Sequence, residues 1–296
     1  MAVGFTLQVP SGTVIRCNSA ASIAGSIVVL PSPNGAAAKR TGGSASLVSA
    51  AYQPPGSPQG FAAAGTGELT LVTPGNLSGG DGGTAVKSLS GTTAGLQFYS
   101  HMLRGSNLVG GGGAASIGQN SQTFGGGGGG SFGLFAKQTI SVTGTINASG
   151  GSTSSPGAGG GAGGLIVLAS AQSVSITGSG ALLVRGNGGG DSDASVGAGG
   201  GGGGGIVQLL APSVPNQSAI DGFSTVNGGV AGSNADDQIS GNLRQAGSGG
   251  GGFGGKGGNG GSVLSTSGTQ TAGSGTDGQA GFASAVAADP AAILLY

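Results

Sequence analysis

The 296-residue chain predicts an all-β fold of β-solenoid or β-roll-like repeats with packed polyglycine II-type segments. Three observations carry that expectation. The 74 glycines cluster in unbroken runs such as 125–130 and 199–205. Short β-branched, apolar stretches separate the runs, and the combination recurs along the chain. Collagen is excluded because it needs glycine at every third residue with abundant proline, and here only 11 prolines occur. Composition also argues against disorder. Hydrophobic residues make up 36% and charged residues 6%, with nine acids against nine cations, whereas disordered chains combine low hydrophobicity with high net charge.

Four zones follow in order. Residues 1–60 read as an N-terminal β attachment region, with strands at Phe5–Val9, Thr13–Cys17 and Ser26–Leu30. Pro54, Pro55 and Pro58 mark its end. Residues 61–109 form a short β and linker region with a strand at Glu68–Val72 and a polar aromatic cluster, Leu96–Gly105, that holds the lone histidine His101. Residues 110–261 are the glycine-rich repeat domain, and 262–296 a C-terminal segment that ends in apolar Ala291–Tyr296.

The repeat domain has one grammar. A glycine run enters an apolar strand ending at Ala136, Ala169 or Ala211, a polar step leads to a second short strand, and Asn147, Asn187 or Asn227 closes the unit. The alanines are spaced by 33 and then 42 residues, which places the insertions in the glycine-rich connectors on one side of a stack. A partial fourth unit is expected to begin at Ser262–Gly268. Each unit has one apolar strand face and needs a neighbour to bury it. Glycine loses about 0.5–1 kcal/mol more than alanine in backbone entropy when ordered. Ordered runs therefore have to recover that cost through main-chain hydrogen bonds, which extended three-residue-per-turn helices without Cβ atoms can exchange.

Chemistry-bearing patterns are sparse. A single histidine excludes multi-histidine metal sites, and a single cysteine, Cys17, excludes an intrachain disulfide. No GxSxG elbow precedes a helix pattern, and no phosphate loop or evident paired acid and base occurs, so the chain is expected to be non-enzymatic and to carry no cofactor. Zero net charge with scattered cations argues against nucleic acid. No apolar stretch reaches the length of a membrane span, and the opening residues lack a basic, apolar leader pattern. Asp191 with Asp193, and Asp236 with Asp237, have calcium-ligand chemistry, but their surroundings do not reproduce the calcium repeat and read as solvated turns. Recognition is expected on the polar insertions between runs, with Ser152, Ser154, Asp191, Asp193, Asn234, Asp236 and Asp237 as candidate residues.

The stretch VTGTINASGG, then GAGGGAGGLIVLASAQSVSITGSGALLVRGNGG, then GGGGGGGIVQLLAPSV resembles glycine-rich proteins of bacteriophages and of some bacterial surfaces, over roughly residues 110–261. Similar runs occur in the distal adhesins of T-even-type tail fibres. That resemblance implies packed polyglycine II helices with host-binding loops between them. It leads to the expectation of a bacteriophage virion protein, a tail-fibre, tail-tip or host-recognition adhesin, assembled in the host cytoplasm. It would contact other virion proteins through its N-terminal region, bind a host surface glycan or protein, and form a homotrimer. The alternatives are a capsid decoration or head-fibre protein, an ice-binding protein, and a bacterial surface protein. For ice binding, the Thr143 and Thr145 pair does not recur in the next unit.

Overall fold

A computed structural model describes residues 1–31, 37–41, 44–49, 76–77, 82, 110–113, 116, 123–193, 196–234, 246–266 and 269–290. The expected strand at Glu68–Val72, the proline boundary, the His101 segment, Asp236, Asp237 and the terminal Ala291–Tyr296 lie outside them. The described chain is mostly strand, arranged largely in parallel sheets, with one short helix.

Three parallel sheets dominate. The first joins β2 (Thr13–Cys17), β9 (Ser131–Ala136), β12 (Leu165–Ser170), β15 (Ile206–Ala211) and β19 (Phe282–Ala287). The second joins β3 (Ala21–Ile23), β10 (Ile140–Val142) and β13 (Val174–Ile176). The third joins β1 (Thr6–Val9), β4 (Ser26–Val29), β11 (Thr145–Asn147), β14 (Ala181–Leu183) and β16 (Ser224–Thr225). The chain visits them in the same order, first, second, third, through β2–β3–β4, β9–β10–β11 and β12–β13–β14. In the next circuit a parallel bridge from Ser173 to Ser213 and the helix α1 (Gln217–Phe223) stand where a second-sheet strand would be. Three antiparallel elements complete the set: β5 (Ala37–Thr41) between β6 (Ser44–Ser49) and β8 (Thr123–Phe124), and β17 (Val263–Thr266) between β18 (Thr269–Ala272) and β7 (Asn76–Leu77).

Burial explains the strand sequences. In the second and third sheets exposure alternates, so Ile140 and Val142 are buried while Ser141 is half-buried, the pattern of one covered face. Strands β9, β12 and β15 are buried at every position, which is why LIVLA and IVQLLA read as continuous apolar runs. Their inner side chains, including Phe132, Leu134, Ile166, Leu168, Val207 and Leu209, form a core shared with the other two sheets. Their outer side chains, including Phe135, Leu165, Val167, Ile206 and Leu210, pack with Phe253.

Register corrects several sequence expectations. Ala136 pairs with Ser170, and Ala169 with Phe135 and Leu210. The first repeat step is therefore Ser131 to Leu165 and the second Leu165 to Ile206, one residue off the alanine spacing. A one-residue slip would turn every side chain to the opposite face. The first two units have three strands each, because the polar step holds β10 or β13 as well as β11 or β14, and the third has α1 in place of the middle strand. Asn147 is level with Leu183, and Leu183 with Thr225, so Asn147, Asn187 and Asn227 are not equivalent positions. Ser262–Gly268 does not open a fourth unit, since β17 belongs to an antiparallel hairpin and β19 is the strand that pairs with β15. The helix lies outside the sequence expectations, although its signal is present: the Asn216 side chain accepts a hydrogen bond from the Ala219 N–H at 2.9 Å, an N-cap.

The glycine excursions leave the third sheet and return to the first. Run 199–205 lies at the centre of their packing. Its successive N–H groups donate to Gly190, Gly247, Thr276, Asn187, Gly250, Gln279 and Val184 carbonyls at 2.7–3.1 Å, a rotation among three neighbouring segments that repeats every third residue. Its carbonyls accept from Gly232, Gly160, Gly258, Gly229, Gly163 and Gly255, a rotation among three others. The surrounding segments also bond to one another around the ring, as in Asn187 to Gly161, Gly186 to Asn227, Gly278 to Gly229, Gln279 to Lys256, Gly249 to Gly258 and Gly250 to Gly160. Threefold rotation of bonds is the behaviour of an extended helix with three residues per turn.

Most positions inside this lattice leave no room for a side chain, and the few that are filled carry small ones, such as buried Ala158, Ala162, Ala198 and Ser248. A Cβ on Gly201 would meet the Gly229 carbonyl, whereas one on Gly222 in α1 has nothing within 4 Å. Gly201→Ala is expected to lower stability by about 1–3 kcal/mol through overpacking, while Gly222→Ala raises it by about 0.5–1 kcal/mol through helix propensity. Chemical denaturation of the two variants measures both signs.

Candidate recognition surface

Because the runs leave and return side by side, the turns joining them gather at the far end of the lattice from the strands. The first turn, 152–156, carries exposed Ser152 and Ser154. It is pinned to β8, where Thr153 Oγ1 donates to the Phe124 carbonyl at 2.7 Å and the Phe124 N–H donates to Ser155 Oγ at 3.3 Å. Ser116 Oγ donates to the Pro156 carbonyl at 2.7 Å. At its end Gly157 has a φ of +65°, and a Cβ there would press on Val196. A left-handed backbone beside a buried valine leaves only glycine unstrained.

The second turn follows directly, as the Gly157 N–H donates to the Asp191 carbonyl at 2.8 Å. Asp191 is exposed, and its Oδ1 accepts from both the N–H and the hydroxyl of Ser233 at 2.8 Å. Those two donors, the backbone one foremost, hold its carboxyl below the usual carboxylate range. Asp193 is half-buried and bridges to Val196 across a tight turn. The third turn is tied to the second by Ser192 N–H to the Ser233 carbonyl at 2.9 Å, and to 272–274 by the Asn234 amide, which bonds with Ser274. Ala231 N–H donates to Asp277 Oδ1 at 2.7 Å, and Asn259 N–H to Thr276 Oγ1 at 2.7 Å.

Of the expected residues, Ser152, Ser154, Asp191, Asp193 and Asn234 thus lie on neighbouring turns of one surface. Among the described residues no group of three metal-ligating side chains forms, so the Asp191 and Asp193 turn is a hydrogen-bonded turn in which one Asp191 oxygen is engaged by Ser233. Of the residues that fasten the turns, Thr153, Ser155 and Ser233 fall within the expected polar insertions without being singled out, while Asn259, Ser274, Thr276 and Asp277 lie outside them.

A readable signal marks where side chains emerge. On two outer runs exposed non-glycine residues recur every third position, Asn227, Val230 and Ser233, and Lys256 and Asn259, while the outermost run exposes two rows, Ser274, Asp277 and Ala280 beside Thr276 and Gln279. Between them the glycines Gly229, Gly255, Gly257 and Gly258 are buried. A period of three in an extended helix keeps one edge in water.

Asp191 links the surface to pH. Its lowered folded value means the tie to Ser233 contributes above the unfolded carboxylate value and is lost as pH falls through the folded one. An NMR titration of the Asp191 carboxyl is expected to show a midpoint below the usual range, returning toward it in Ser233→Gly, which keeps only the backbone donor. No helix among the described residues is long and apolar enough to cross a membrane. No family model, curated protein or solved structure matches this chain.

Proposed function

We propose that this chain is a non-enzymatic bacteriophage virion protein, a tail-fibre or tail-tip adhesin. Its strands form a three-sided β-solenoid, its runs pack as a polyglycine II bundle, and its turns contact a host surface glycan or protein. The carrying observation is the gathering of the polar turns 152–156, 191–193 and 231–234 at one end of a lattice built almost wholly of glycine. A lattice held by main-chain bonds tolerates any turn sequence that leaves the runs intact, which suits a surface that must change with its receptor.

One end of the strand stack, away from the turns, supports the attachment half of this reading. The first circuit of strands, β1 to β4, stands at the edge of all three sheets, farthest in sheet order from the last strand β19. In an infected cell the chain would join other virion proteins through that end and project its turns outward.

Labelled antibody against the chain is expected to decorate the tail end of particles. Label on the capsid, or none on the virion, defeats the reading. Purified protein is expected to bind susceptible cells. Paired Ser152→Arg and Ser154→Arg changes on the exposed turn should cut that binding about tenfold or more while leaving the unfolding midpoint unchanged, because surface changes away from packing seldom move stability by more than about 0.5 kcal/mol.

A further inference from the structure

The two ends of the parallel stack are finished differently. At the β19 end α1 closes the core, with Ile220 buried among core side chains and Gln217, Ser218 and Asp221 exposed. The Gln217 amide also donates to the Ala283 carbonyl of β19 at 2.8 Å. At the other end, the second-sheet edge is partly covered: Met1 N donates to the Ser22 carbonyl at 2.7 Å and Ala24 N–H to the Met1 carbonyl at 3.0 Å. The first-sheet edge, β2, carries exposed Arg16, the type of charge that blunts an edge.

Strand β1 has neither device. Phe5–Val9 holds no charge, proline or glycine, and Phe5 is 67% and Leu7 42% exposed. Leu7 is level with Ile27, Ile146 and Leu182, so it is the uncovered end of a column that is otherwise buried. The Phe5 and Val9 carbonyls accept from Ser26 and Leu30, which turns odd-numbered main-chain groups toward β4 and leaves those of Thr6 and Gln8 facing outward. Those outward groups are a template for one more strand.

Charge indicates what that strand carries beside it. The circuits nearest this edge expose Arg16 and Lys137, and no carboxylate side chain occurs among the described residues before Asp191 at the far turns. We propose that β1 is a strand-addition site for an extended apolar segment of another protein, flanked by acidic residues. Main-chain bonds to Thr6 and Gln8 supply the pairing, Leu7 and Phe5 take alternate apolar side chains, and the positive field of Arg16 and Lys137, carried by the first sheet of the same end, favours acidic flanks. This rests on the virion reading only in naming the chemistry of its attachment partner; the test needs only the purified chain, so either can fail alone.

The probe is a fluorescent peptide that copies Ser26–Leu30, the strand already paired with β1, with aspartates at both ends. Fluorescence anisotropy is expected to show binding to the full-length chain about tenfold tighter than for the same peptide flanked by lysines, and the gap should close as salt screens the charges. Gln8→Pro removes one outward N–H without touching the β4 ladder and should weaken binding about tenfold or more, with an unchanged unfolding midpoint. Arg16→Glu with Lys137→Glu should reverse the preference between flanks. Absence of binding, equal affinity for both flanks, or indifference to Gln8→Pro each overturns the proposal. So does self-association abolished by Gln8→Pro in sedimentation, which would make a second copy the occupant of the edge.

Discussion

Everything glycine-rich in this protein depends on main-chain amide groups of one segment reaching carbonyls of another. The magnitudes make this a strict condition. A net main-chain hydrogen bond contributes about 0.5–1.5 kcal/mol, while a buried group left unpaired costs about 1–3 kcal/mol. Ordering glycine costs about 0.5–1 kcal/mol beyond alanine. A run with half its amides unpaired would not stay ordered, whereas run 199–205 has a partner for every N–H. The lattice is tolerable only when nearly complete, and completeness keeps the few side chains within it as small as those of Ala162 and Ser248.

The strands set where that lattice begins. Parallel register fixes Gly164 beside Leu165 and Gly205 beside Ile206, so runs returning to the first sheet start level with one another. The bonds from Gly160 to Gly200 and from Gly163 to Gly203 continue the offset of the ladder beyond its end. Phe253 joins the two halves. The turn at Gly252–Gly255 brings its ring over the outer face of β12 and β15, where it is fully buried. A hydrophobic contact therefore anchors a hairpin whose arms otherwise hold on mainly by main-chain bonds, with Asn259 adding side-chain ties to Gly82 and Thr276.

Much of this was legible in the sequence, for identifiable reasons. Thr13–Cys17 matches β2, and Ser26–Leu30 overruns β4 by one residue, because β-branched runs ending at turn residues are strong local signals. The repeat was visible because strands buried on both faces leave unmistakable apolar words. Its register was not, since Ala136, Ala169 and Ala211 share identity but not position, and only pairing decides between slips of one residue. Short strands such as Ala21–Ile23 escaped notice because three residues carry too little pattern. The turn residues Ser152, Asp191 and Asn234 were legible as interruptions between runs. Ser233 and Asp277 were not, because their role lies in partners about 40 residues away, Asp191 and Ala231.

The central position of run 199–205 bears on how the chain is made. Four of its carbonyls wait for N–H groups at 229, 232, 255 and 258, and four of its N–H groups for carbonyls at 247, 250, 276 and 279. When the ribosome has released residue 205, none of those partners has yet been synthesised. The β9 and β12 strands can pair as they emerge, and Gly151 and Gly161 find their carbonyls upstream at Gly127 and Gly151, whereas run 199–205 waits for segments that follow it. Order around this run is thus completed only by segments synthesised after it.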